Sequence, residues 1–142
     1  MTRDDDTLDT LIARALREDV GEGDLTSLWT VPAGHRVQAV VVAKEEMVVA
    51  GTACVEAVMV AVDPTIDVVV QVPDGRGVGP GETLVRLEGP TRTLLTAERT
   101  ALNFLGRLSG VATLTRRFVD AVEGTDARVV DTRKTTPGWR SL

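Results

Sequence analysis

The sequence predicts an α+β fold: an N-terminal open α/β sandwich, with a mostly antiparallel sheet and helices on one side, followed by linking helices and the first strand of an α/β barrel. Three observations lead there. Four stretches carry apolar residues at helical spacing, around Leu8 to Leu16, Val55 to Val62, Leu94 to Leu108 and Val111 to Val122. Among them lie short β-branched runs bounded by glycine, proline or charge, the signature of strands. Finally, the last helix is followed by the β-branched pair Val129-Val130, the helix-then-strand order in which a barrel unit opens. The expected division is a sandwich domain over 1–110 and the start of the barrel over 111–142.

Taken in order, Asp4, Asp5 and Asp6 offer N-caps and put negative charge at the start of the first helix. Leu8, Leu11, Ile12, Ala15 and Leu16 then repeat on one face until Gly21. The run Gly21-Glu22-Gly23-Asp24 has two carboxylates and no neighbouring ligand set, so it reads as a surface turn rather than a metal loop. Strands are expected at Val37 to Ala43 and Met47 to Ala50, joined at Lys44-Glu45-Glu46. Thr52 is expected to cap a helix in which Val55, Val58, Met59 and Val62 share a face, and Asp63-Pro64 ends it. Strands Ile66 to Val72 and Thr83 to Leu87 flank a turn from Pro73 to Gly81; no helix follows its glycines, so it reads as a hairpin connection and not a phosphate loop.

The helix from Arg92 to about Ser109 puts Leu94, Ala97, Ala101, Leu102, Leu105 and Leu108 on one face and Thr96, Arg99, Asn103 and Arg107 on the other. Glu98 falls on the apolar side, where a carboxylate needs an Arg or backbone partner. Gly110 is expected to break this helix and a further one to run to Gly124, with Arg116 and Asp120 spaced as an ordinary helix-face pair.

The chain has 142 residues, 43% of them hydrophobic, and a formal charge of -5. That acidity argues against nucleic-acid binding, which needs a basic face. No apolar run approaches the roughly 20 residues of a membrane span. Met1 leads into Arg3-Asp4-Asp5-Asp6 without the apolar stretch of a secretory signal, and the lone Cys54 has no disulfide partner, so the expected home is the cytoplasm. Cys54 has no His or basic neighbour in sequence and reads as a core residue rather than a nucleophile.

Against this acidic background the cationic run Asp131-Thr132-Arg133-Lys134-Thr135-Thr136-Pro137-Gly138 stands out. Arginine offers a rigid fork that grips a carboxylate with two hydrogen bonds, lysine a compact charge suited to phosphate, and threonine neutral donors. Such a loop at a strand end is suited to a small, highly negative ligand; read alone, it is more often an ordinary solvated basic loop.

This run, with Ala97 to Leu105, Leu108 to Thr113 and Arg17 to Thr26, resembles quinolinate phosphoribosyltransferase, also called nicotinate-nucleotide pyrophosphorylase (carboxylating). The resemblance implies transfer of phosphoribosyl from phosphoribosyl pyrophosphate to quinolinate with decarboxylation, giving nicotinate mononucleotide, pyrophosphate and carbon dioxide. By the same likeness Arg133 would grip a quinolinate carboxylate, Thr132 would hydrogen-bond beside it, and Lys134 would act as the catalytic cation near both substrates. Arg99 would reach the active site of the neighbouring subunit in a homodimer or larger oligomer. Magnesium would accompany the pyrophosphate group, with its ligands in the C-terminal half.

Members of this family run to about twice the present length, so the expectation is a truncated barrel, no turnover by this chain alone, and a terminal strand left unpaired and held, if at all, by another copy. Arg140, after the Pro-Gly turn, has no expected role. Two other readings remain open: a non-catalytic, truncated or degenerate relative acting as a dimerising module, and a related phosphoribosyltransferase-like protein acting on another anion.

Overall fold

The computed structural model describes residues 7–140 and 142. Its elements run α1 (Leu8–Val20), α2 (Leu25–Thr30), β1 (Arg36–Val42), β2 (Met47–Val48), α3 (Thr52–Val62), β3 (Asp67–Val70), β4 (Gly77–Val78), β5 (Thr83–Pro90) and α4 (Thr91–Ala121). Strand β5 is central in an antiparallel sheet of order β1-β5-β3, while β2 and β4 form a separate antiparallel pair. This is the predicted α+β class.

Period-two burial along β5 explains how the sheet meets the helices. Val85, Leu87 and Gly89 are buried, whereas Arg86 and Glu88 between them are exposed. Three of their register partners follow suit: Ala39 and Val68, which flank Leu87, and Val41, beside Val85, are half-buried, whereas Val70 on the other side of Val85 is exposed. On the wet face the Gln38 amide donates to the Glu88 carboxylate at 2.9 Å, a cross-strand bond. Gly89 continues the inward row where space runs out, because a Cβ there would lie 2.9 Å from Ile66 Cγ1. The core joins this row to Ile12 of α1, to Val55, Val58 and Met59 of α3, and to Ala97, Ala101, Phe104 and Leu105 of α4.

Several expected details change. The expected caps Asp4, Asp5 and Asp6 lie outside the described residues; Thr7 caps α1, its hydroxyl accepting from Thr10 N–H. The expected turn at Gly21 to Asp24 ends in a capped helix: Asp24 accepts from Ser27 N–H at 3.0 Å and opens α2. Thr52 is the first residue of α3 and not its cap. Gly51 holds that position at φ 99, and the carboxylate of Asp74 reaches across to supply the missing acceptor. The connection from Pro73 to Gly81 contains β4, which pairs with β2 rather than forming a bare turn.

The larger correction concerns Gly110. It sits inside α4, one unbroken helix of 31 residues, because a single glycine costs only about 1 kcal/mol against the propensity of a long flanking sequence. Ser109 adds a reason local to this helix: its hydroxyl donates to Ala50 C=O at 3.1 Å and accepts from Ala50 N–H at 3.0 Å. One turn on, Thr113 accepts from Val48 N–H at 2.9 Å. These bonds clamp β2 and its following loop against the middle of α4. The inward face is also turned relative to expectation, with Thr100 and Phe104 buried and Leu102 40% exposed. Glu98 is therefore exposed and needs no buried partner.

Val129 and Val130 form no strand; Val130 is 79% exposed. A parallel barrel strand is made by its neighbours, and a β-branched pair without them stays irregular.

Candidate functional site

Two features gather the residues that can handle an anion. The first lies between α1 and α4. Ile12, 1% exposed, seats α1 on the core, and Leu11, Ala15 and Leu16 pack around it. This brings Asp19, in the last turn of α1, to Arg99 and Thr100 of α4. Arg99 Nε lies 3.2 Å from Asp19 Oδ1, and the Thr100 hydroxyl donates to Asp19 Oδ2 at 3.2 Å. Among the described residues this is the ion pair that forms; Arg116 and Asp120 do not come within pairing distance.

The pair borders a cleft of about 590 Å³ whose walls include Arg14, Glu18, Asn103 and Phe104. Its remaining wall is supplied by the C-terminal segment through Pro137, Gly138 and Trp139. Trp139 stacks on Phe104 with ring centroids 4.9 Å apart and planes inclined by 25°. That stack holds the segment against α4 although residues 128–136 are exposed.

The second feature is the cationic loop itself. Thr132, Arg133 and Lys134 are all exposed, and the Thr132 hydroxyl accepts from Lys134 N–H at 3.2 Å, folding the loop back on itself at Arg133. Neither Arg133 nor Lys134 is ion-paired among the described residues. The structure brings Arg99 to the turn that ends this loop, but Thr132, Arg133 and Lys134 form no part of the cleft wall. Sequence reasoning missed Asp19 and Trp139. Asp19 stood inside the Arg17 to Thr26 motif with no role attached, and the lone aromatic after Pro137-Gly138 was the available sign for Trp139.

Other candidates resolve as structure. Cys54 is 3% exposed, and burial, with the nearby Asp74 charge, pushes its thiol up, so it stays protonated. Asp24 is held below the usual carboxylate range by donation from Ser27 and Thr96, as a helix cap tied to α4. Among the described residues no three of His, Cys, Asp or Glu gather as a metal site, so the acidic ligand set magnesium would need is not found in them. No described helix is long and apolar enough to cross a membrane.

The α+β sandwich thus carries an ion-paired arginine on its longest helix, which passes the chain on to a basic, hydroxyl-bearing loop. The chain belongs to the quinolinate phosphoribosyl transferase family: residues 24–109 match the family's N-terminal domain and residues 111–142 its C-terminal domain. It is 43% identical over 137 residues to the nicotinate-nucleotide pyrophosphorylase (carboxylating) of Mycobacterium leprae, covering 92% of this chain and 47% of that protein. It is 40% identical to the chloroplastic one of Oryza sativa, covering 94% of this chain and 36% of that protein. The solved nicotinate-nucleotide pyrophosphorylase from Francisella tularensis superposes with a TM-score of 0.88 at 33% identity, covering 94% of this chain and 48% of that structure. The chain thus spans less than half the length of each of these relatives.

Proposed function

We propose that this chain is the N-terminal portion of a quinolinate phosphoribosyltransferase of NAD biosynthesis, which joins quinolinate to phosphoribosyl pyrophosphate with loss of carbon dioxide to form nicotinate mononucleotide. The observation that carries the reading is the match of both of the family's domains in sequence along residues 24–142. Both substrates are polyanions, and the net charge of -5 makes a concentrated patch of cations the natural place to receive them.

In this reading Arg133 takes a quinolinate carboxylate by its fork, and Thr132 donates beside it. Lys134 offsets charge growing on the departing pyrophosphate. Arg99, 74% exposed, extends from one protomer of a dimer or larger oligomer toward the site of the other. Magnesium, bound elsewhere in the protein, would neutralise pyrophosphate charge. The reaction belongs to the cytoplasm.

The test is product analysis on the protein expressed from its complete reading frame, given quinolinate, phosphoribosyl pyrophosphate and magnesium. Nicotinate mononucleotide should accumulate with quinolinate and not with nicotinate, because a site built for two carboxylates leaves donors unpaired when one is missing. Equal use of nicotinate, or no nucleotide at all, would overturn the assignment.

A further inference from the structure

We infer that Asp19 is a positioning residue for Arg99, a role that rests on the function proposed above for that arginine. The inference starts from where Asp19 stands. It occupies the last turn of α1, where the partial negative charge of the helix end disfavours a carboxylate. The helix would be better served there by a neutral or basic residue, yet the fold keeps the Asp19 side chain only 20% exposed.

Its surroundings explain the placement. Thr100, 3% exposed, is fixed in the core and donates to Oδ2, which sets the carboxylate plane and leaves Oδ1 for Arg99. Arg99 and Thr100 are consecutive on α4, about 100° apart around its axis, so one carboxylate can serve both only from the seam between α1 and α4. The contact with Arg99 is made through Nε. A guanidinium anchored at Nε keeps its Nη1 and Nη2 edge for a second carboxylate, the geometry a dianionic aromatic substrate requires. Without the anchor the arginine must lose its side-chain freedom at the moment of binding.

The experiment is steady-state kinetics on the protein from its complete reading frame. Asp19→Asn should raise KM for quinolinate roughly three- to tenfold with less than about a twofold change in kcat. Asp19→Glu, which retains the charge, should fall between it and the unaltered protein. In an Arg99→Ala background Asp19→Asn should add nothing, which a merely structural role would not produce. Should Asp19→Asn fail to fold, Asp19→Glu decides by the same comparison. An unaltered KM, or an equal rise in the Arg99→Ala background, overturns the role while leaving the proposed function standing. Absence of turnover in the unaltered protein overturns both.

Discussion

Asp74 and Thr52 are joined twice, the Asp74 carboxylate accepting from Thr52 N–H at 3.1 Å and from its hydroxyl at 2.7 Å, while also taking Gly51 N–H at 2.8 Å. A residue in the loop before β4 thus caps a helix it does not belong to. Asp74→Ala should cost about 1 kcal/mol, the usual worth of an N-cap acceptor, read as a lower urea midpoint.

The same contact sets a pH dependence. Burial raises the Asp74 carboxyl, but donation from Gly51 and Thr52 outweighs it and holds the group below the usual carboxylate range. Asp24 and Asp63 are lowered too, chiefly by donation from Ser27 and Thr65. A depressed folded-state pKa stabilises above the ordinary carboxylate value and loses that contribution as pH falls through the folded value. Stability should be flat from about pH 7 to pH 5 and decline below about pH 4, and Asp74→Asn should make that decline shallower in urea titrations repeated across pH.

Ser109→Ala should be more damaging than its size suggests. Ser109 is 2% exposed and satisfies both polar groups of the Ala50 backbone. Leaving them unmet should cost about 2 kcal/mol by chemical denaturation. A loss under half a kcal/mol would mean that water replaces the hydroxyl.

Gly110→Ala should have the opposite sign. Gly110 is helical, and nothing lies within 4 Å of where a Cβ would stand. Alanine there should stabilise by about 0.5–1 kcal/mol and raise the thermal midpoint. A drop would show that α4 bends at this residue in solution.

Arg133→Ala should lower kcat/KM for quinolinate by about a hundredfold or more in the complete protein, as expected when a fork-shaped charged contact to a carboxylate is lost. Because Arg133 is exposed and unpaired with any described carboxylate, the thermal midpoint should stay within a degree or two. A large drop in stability with intact kinetics would return the loop to an ordinary surface role.

What the sequence made legible was what periodicity controls. The faces of α1 and α3 could be read because their apolar residues are buried against a core, and β5 was legible as a strand from Thr83 to Leu87. α2 escaped because its apolar residues Leu25, Leu28 and Trp29 are 55%, 50% and 77% exposed, so no core-facing period exists; the clue was Asp24 three residues before Ser27. β4 is only Gly77 and Val78, defined by its partner β2 rather than by propensity. The cationic residues Arg99, Arg133 and Lys134 were visible as residue types. The Asp19 contact was not, since eighty residues separate it from Arg99 and only the docking of α1 on α4 unites them.

An uninterrupted α4 acts as a ruler. At about 1.5 Å and 100° per residue, inserting or deleting one residue between Arg99 and Ala121 would swing the whole following segment about a quarter turn around the axis and slide it along. With Thr113 bolted to β2 and Ser109 to the loop that follows it, nothing there absorbs the error. A side-chain change along this stretch acts where it sits, whereas a change in its length misaligns Arg99 against everything downstream.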